Sequence, residues 1–74
     1  MYIIHSNVTG KDYDIHNTVR ITIPLQIAKY LKHGAEILDL YDSIDQYTGQ
    51  PCIVAIFDRD ATAELFIKWK NREL

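Results

Sequence analysis

Seventy-four residues, 47% of them aliphatic, aromatic or sulfur-bearing and 24% charged, describe one ordinary folded core with no room for a second. A net charge of −2 speaks against a general nucleic-acid binder, which needs a dominant basic face, and is too mild for a charge mimic of DNA. The longest apolar run, Cys52–Phe57, falls far short of the roughly 20 residues of a membrane span, and the single cysteine rules out an internal disulfide or a multi-cysteine zinc site. Met1 runs straight into Tyr2-Ile3-Ile4 without a basic n-region, so no signal peptide is expected. A reducing cytoplasm is the expected location. A chain this short buries only about 60% of its unfolded surface, so a partner or a homodimer would help to stabilise it.

The first predicted element is a hairpin. If Gly10-Lys11 forms a two-residue turn, Val8 faces Tyr13, Ser6 faces Ile15, Ile4 faces Asn17 and Tyr2 faces Val19. One face then collects Tyr2, Ile4, Val8, Tyr13, Ile15 and Val19, and the other collects His5, Asp14, His16 and Arg20. A helix follows, capped by Thr22, started by Pro24 and stopped by Gly34, with Leu25, Ile27, Ala28 and Leu31 as its apolar stripe and Tyr30 at the edge. Residues 36–42 alternate as a strand with Leu38 and Leu40 on one face. A turn-rich loop runs from Asp45 to Pro51. Cys52–Phe57 is apolar on both faces, as a central strand would be. Asp58 or Asp60 then caps a second helix with the stripe Ala61, Leu65, Phe66 and Trp69, and Glu64 pairs with Lys68. The expected fold is a single α+β domain over 1–74, built from tandem strand–strand–helix halves (ββαββα) at 1–34 and 35–74. Its four-stranded, mainly antiparallel sheet carries both helices on one face.

Charge is uneven along the chain: residues 1–35 carry +2, residues 36–64 carry −6 and the tail from Leu65 carries +2. His5 and His16 stand opposite one another in the predicted register, with Asp14 diagonal, which are ingredients of a metal site without a fourth ligand. A surface polar pair explains them as well. Asp58, Asp60 and Glu64 sit at a helix start, where capping and the helix dipole account for acids. Cys52 opens a buried strand with no histidine to activate it, so core packing is its expected role. Asn7-Val8-Thr9 matches a glycosylation acceptor by chance in a chain without a secretory signal. No phosphate loop, paired-cysteine spacing or nucleophile elbow is present, so neither enzyme activity nor a cofactor is expected. Five tyrosines and one tryptophan are many for this length, and these residue types concentrate at binding hot spots. Tyr47 stands out because its loop gives it no packing reason to be there.

Two resemblances add to this reading. Arg20-Ile21-Thr22-Ile23-Pro24, followed by Ile27, Leu31, Gly34 and Ile37-Leu38-Asp39-Leu40, resembles the looped-hinge-helix family of bacterial transition-state regulators and antitoxins over residues 17–41. That resemblance implies a domain-swapped dimer binding DNA through basic residues, of which Arg20 maps onto the motif. Val54 to Trp69, with Asp58-Arg59-Asp60-Ala61, Ala63 and Phe66, is similar to the ends of small tailed-phage accessory proteins. This second resemblance implies an early phage protein that binds and inhibits a host or antiviral-defence protein in the host cytoplasm.

The leading expectation is therefore a non-enzymatic protein-binding module whose interface draws on His5, Asp14, His16, Arg20, Tyr47 and Arg59. The unpaired edges of an open sheet also suit a homodimer. The alternative is a DNA-binding regulator with Arg20, Lys29 and Lys32 on phosphates, and a structural virion component stands third.

Overall fold

The doubly apolar run in the second half of the chain becomes the middle of the molecule. A computed structural model describes residues 2–74 of the protein, and the Met1 position lies outside them. Strand β5 (Pro51–Asp58) lies between β3 (Thr18–Ile21) and β4 (Ile37–Ile44), antiparallel to both. Its alternate residues point to opposite faces, and both faces are covered. Ala55 and Phe57 pack with Ile21, Ile27 and Tyr30, joined by Leu65 and Trp69, so α1 (Pro24–Lys32) and α2 (Ala63–Lys70) share one face. Val54 and Ile56 pack with Tyr13 and Leu38 on the other, beneath a hairpin of β1 (Ile3–His5) and β2 (Asp12–Asp14). The α+β class and the antiparallel pairing are present. The expected single four-stranded sheet is not: the strands form a two-stranded sheet, β1–β2, and a three-stranded one, β3–β5–β4.

Asp14 is the reason for the split. Its carboxylate accepts the His16 N–H at 2.9 Å and starts a 3-10 turn over Ile15–Asn17. A short acidic side chain that bonds two residues ahead competes with the ladder, so one predicted strand becomes β2 and β3.

The first hairpin also slips. Ile4 pairs with Tyr13 and His5 with Asp12, not Val8 with Tyr13 and Ile4 with Asn17. Ser6 sets this register by closing a longer turn. Its backbone N–H donates to the Lys11 carbonyl (2.8 Å), and its hydroxyl oxygen accepts the N–H of Val8 (3.2 Å) and Thr9 (3.0 Å). The same turn recurs between β4 and β5, where the Asp45 carboxylate accepts the N–H groups of Tyr47 (2.8 Å) and Thr48 (3.0 Å). In both, a threonine hydroxyl accepts an N–H two residues on, and a glycine with positive φ follows, +74° at Gly10 and +71° at Gly49. The chain thus repeats Ser/Asp-x-x-Thr-Gly at 6–10 and 45–49.

Helix α1 begins at Pro24, where the missing N–H removes nothing, but Ile23 and not Thr22 occupies the cap position. It ends in a Schellman motif. The Ala35 N–H donates to the Tyr30 carbonyl (3.0 Å) and the Gly34 N–H to the Leu31 carbonyl (3.1 Å), with Gly34 at φ +86°. Tyr30, expected at the edge of the stripe, is instead wholly buried. Its ring meets Phe57 edge-on at 5.3 Å, and its hydroxyl accepts from Gln26 Nε2 at 3.1 Å. Burying such a ring contributes about 2–3 kcal/mol, with about 1 kcal/mol more from the aromatic pair. Turning Gln26, Ile27 and Tyr30 inward leaves Leu25, Ala28 and Leu31 in solvent.

Helix α2 likewise starts later than expected. Asp58 Oδ2 accepts the Ala61 N–H (2.8 Å) and so closes a turn ahead of the helix, whose cap position is Thr62. Leu65 and Trp69 face the core, whereas Ala61 and Phe66 are exposed. Among the described residues Lys11 forms an ion pair with Glu36, the His5 ring hydrogen-bonds the Asp12 carboxylate, and the expected Glu64–Lys68 pair does not form. A bulge between Ile37 and Asp39 sends Leu38 and Leu40 to opposite faces, contrary to the predicted alternation.

Candidate functional site

Asp39 and Ser6 anchor the densest buried polar cluster among the described residues. The bulge turns Asp39 toward the hairpin, where it is buried opposite Ile56. Oδ1 accepts the Ser6 hydroxyl at 2.6 Å and the Leu40 N–H at 2.8 Å, and Oδ2 accepts the Tyr13 hydroxyl at 2.7 Å. The Ser6 hydrogen bond leads in holding this carboxyl below its usual range, with Tyr13 and Leu40 adding to it against the opposing pull of burial. Tyr13 moves the other way: burial, then the Asp39 hydrogen bond and charge, push its hydroxyl up to about 12. Two further bonds tie the hairpin to β4, Thr9 Oγ1 to the Leu38 carbonyl (2.7 Å) and Lys11 Nζ to the Ile37 carbonyl (3.3 Å). Every partner in this cluster is satisfied, and it holds the hairpin onto the sheet.

The expected interface residues fall on several surfaces. His5 bonds Asp12 across the hairpin at 2.7 Å, so it does not stand opposite His16. His16 lies in the 3-10 turn against the Tyr2 ring, with centroids 5.3 Å apart. Asp14, the third expected metal ligand, is bonded to the backbone N–H of His16. No group of three or more metal-binding side chains occurs among the described residues. Arg20 and Tyr47 do come together, lining a hollow of ≈ 240 Å³ with Thr22, Ile44 and Cys52. Tyr47 itself is 97% exposed at the tip of its turn. Lys29 and Lys32 lie on α1, across the sheet from Arg20, and Lys29 Nζ donates to the Leu74 carbonyl at 2.7 Å. These three basic residues therefore do not line up as one stripe. The acidic segment is scattered as well: Glu36, Asp60 and Glu64 border one hollow, Asp39 is buried, and Asp45 serves its own turn.

A feature that the linear reading did not single out is a groove of ≈ 660 Å³ between β3 and α2. Val19, Ile21 and Tyr30 form its floor, Ala63, Phe66 and Ile67 its wall, and Thr18, Arg20 and Arg59 lie at its rim. Phe66 also borders a second hollow, ≈ 620 Å³, with Ile23, Leu25 and Trp69, so it divides two apolar depressions. Lys70 Nζ sits 5.6 Å from the Phe66 ring centroid, within cation–π range. Phe66 was assigned to the core by its spacing. Only the helix rotation that selects Leu65 and Trp69 for the core turns it outward.

Comparison with family models, with curated proteins and with solved structures finds no match. No helix among the described residues is long and apolar enough to cross a membrane.

Proposed function

We propose that the chain is a non-enzymatic protein-binding module that occupies a surface on a partner protein. The observation that carries this reading is the apolar groove between β3 and α2, whose wall residues Phe66 and Ile67 are 49% and 57% exposed. Apolar side chains left in water at such a groove favour a partner, because their exposure forfeits about 25 cal/mol per Å². Tyr47, with almost its entire side chain in solvent, is a second contact of the type enriched at hot spots. The similarity of Val54–Trp69 to small tailed-phage accessory proteins supports a narrower version. In it the partner is a host or antiviral-defence protein, bound and inhibited in the host cytoplasm.

Affinity capture on the immobilised full chain tests the reading when run beside Phe66→Ala and Tyr47→Ala. The expected result is a protein retained by the unaltered chain and lost from at least the Phe66 variant. Retention of nothing, or the same retention by all three chains, contradicts it.

A further inference from the structure

The rim of the groove is an unpaired sheet edge, because β3 ends the three-stranded sheet. The Arg59 N–H donates to the Asn17 carbonyl at 2.9 Å, and Val19 stands opposite Phe57. Ladder alternation then turns the backbone groups of Thr18 and Arg20 away from β5. The Arg59 guanidinium takes the Thr18 carbonyl at 3.4 Å, which leaves both backbone groups of Arg20 open along the edge. Side chains alternate too. Val19 and Ile21 lie on the helix side, in the groove with Phe66 and Ile67, whereas Arg20, which also borders the groove, sends its guanidinium over the opposite face to Ser43 Oγ at 3.5 Å. Neither Arg20 nor Arg59 has a carboxylate partner among the described residues, where the acid contacts of basic side chains are His5–Asp12 and Lys11–Glu36.

We propose that β3 is a docking edge for an extended segment of a partner protein whose residues alternate between apolar and acidic. The proposal rests on the protein-binding reading and names the chemistry of the partner. Alternate residues of the added strand fill the groove, the intervening acids meet Arg20, and an acidic group at one end meets Arg59. Main-chain hydrogen bonds to the edge supply affinity, and the alternating environments supply specificity. A second copy of this chain fits less well. The two-fold registers centred on Val19 and on Arg20 set Arg20 opposite Thr18 or opposite another Arg20, so neither supplies it with an acid. A nucleic-acid strand would satisfy the arginines but leave the apolar wall and the backbone edge without partners.

Selection from a random short-peptide display library on the full chain, followed by amide NMR with the enriched peptides, tests the proposal. The expected peptides alternate apolar and acidic residues and shift the amides of Thr18–Ile21, Phe66 and Ile67. Replacing their acids with lysine, or introducing Arg20→Glu into the chain, weakens binding at least about tenfold. Phe66→Ala weakens it as well, and the exposed charge reversal Arg59→Glu provides a variant that leaves the core untouched. Failure to enrich any peptide, enrichment of basic peptides, shifts confined to another surface, or indifference to Arg20→Glu each overturns the proposal. Displacement of the peptide by duplex DNA, or burial of the edge in a dimer of the free chain, also overturns it. Affinity capture that persists with Arg20→Glu and Arg59→Glu removes this edge while the broader reading stands. Absence of any captured protein removes the broader reading itself.

Discussion

Asp39 is the residue on which the N-terminal hairpin depends. Replacing it with alanine leaves the buried Ser6 and Tyr13 hydroxyls without their acceptor. Such a loss costs about 3 kcal/mol, whereas Tyr13→Phe, which removes one donor to a charged acceptor, costs about 1.5–3 kcal/mol. Urea denaturation of the two variants checks both values. The pH dependence follows from the same cluster. Asp39 is held below the usual carboxylate range, so its contribution is complete above the unfolded value and disappears as pH falls through the depressed one. Tyr13 is raised to about 12, so stability is lost as pH rises through its unfolded value toward about 12. Urea midpoints measured across pH should fall at both ends, and Tyr13→Phe should flatten the alkaline limb. None of this was legible beforehand. Asp39 read as one acid in an acidic stretch, because nothing local announces a bulge that turns it onto Tyr13 and Ser6.

Elements with local punctuation were the most readable. Pro24 and Gly34 marked the ends of α1 because each acts through its own backbone geometry, fixed φ in one case and positive φ in the other. Gly34→Ala meets no atom within 4 Å, so its cost is the left-handed backbone alone, about 1 kcal/mol as a fall in thermal or urea stability. The inward faces were harder to read. Leu25, Leu31 and Phe66 read as core by type but are exposed, whereas Tyr30 turned fully inward and Leu65 and Trp69 kept their expected inward places. The hairpin register failed for a similar reason: a shift that preserves each residue's face leaves the alternation unchanged, so only the side-chain bonds of Ser6 and Thr9 discriminate. The two repeated turns offer an internal comparison. The Thr9 hydroxyl accepts the Lys11 N–H and also donates to the Leu38 carbonyl, whereas the Thr48 hydroxyl accepts the Gln50 N–H. Thr9→Ala should therefore destabilise by about 1 kcal/mol more than Thr48→Ala in matched denaturation curves.

For the whole molecule, the doubly apolar β5 was the most informative stretch, since a strand buried on both faces demands a layer on each side. Its chain neighbourhood did not say that the outer layer would be a separate two-stranded hairpin. A two-stranded sheet is marginal alone, and this one is held by one cluster around Asp39 and a small apolar contact. Amide hydrogen exchange should therefore show residues 3–14 opening well before β5, with Asp39→Ala accelerating the hairpin amides more than those of Ala55–Phe57. Equal protection of both regions would mean that the hairpin and the sheet unfold as one unit. The groove between β3 and α2, by contrast, has Ile21 and Tyr30 of the larger core cluster in its floor. The most direct test of the central claim is photo-crosslinking in cells from a reactive side chain installed at Phe66 or Ile67, with Ala28 on exposed α1 as the control. The expected result is a crosslinked partner protein from positions 66 and 67 and none from 28. Crosslinks from none of the three, or equally from all, would contradict it.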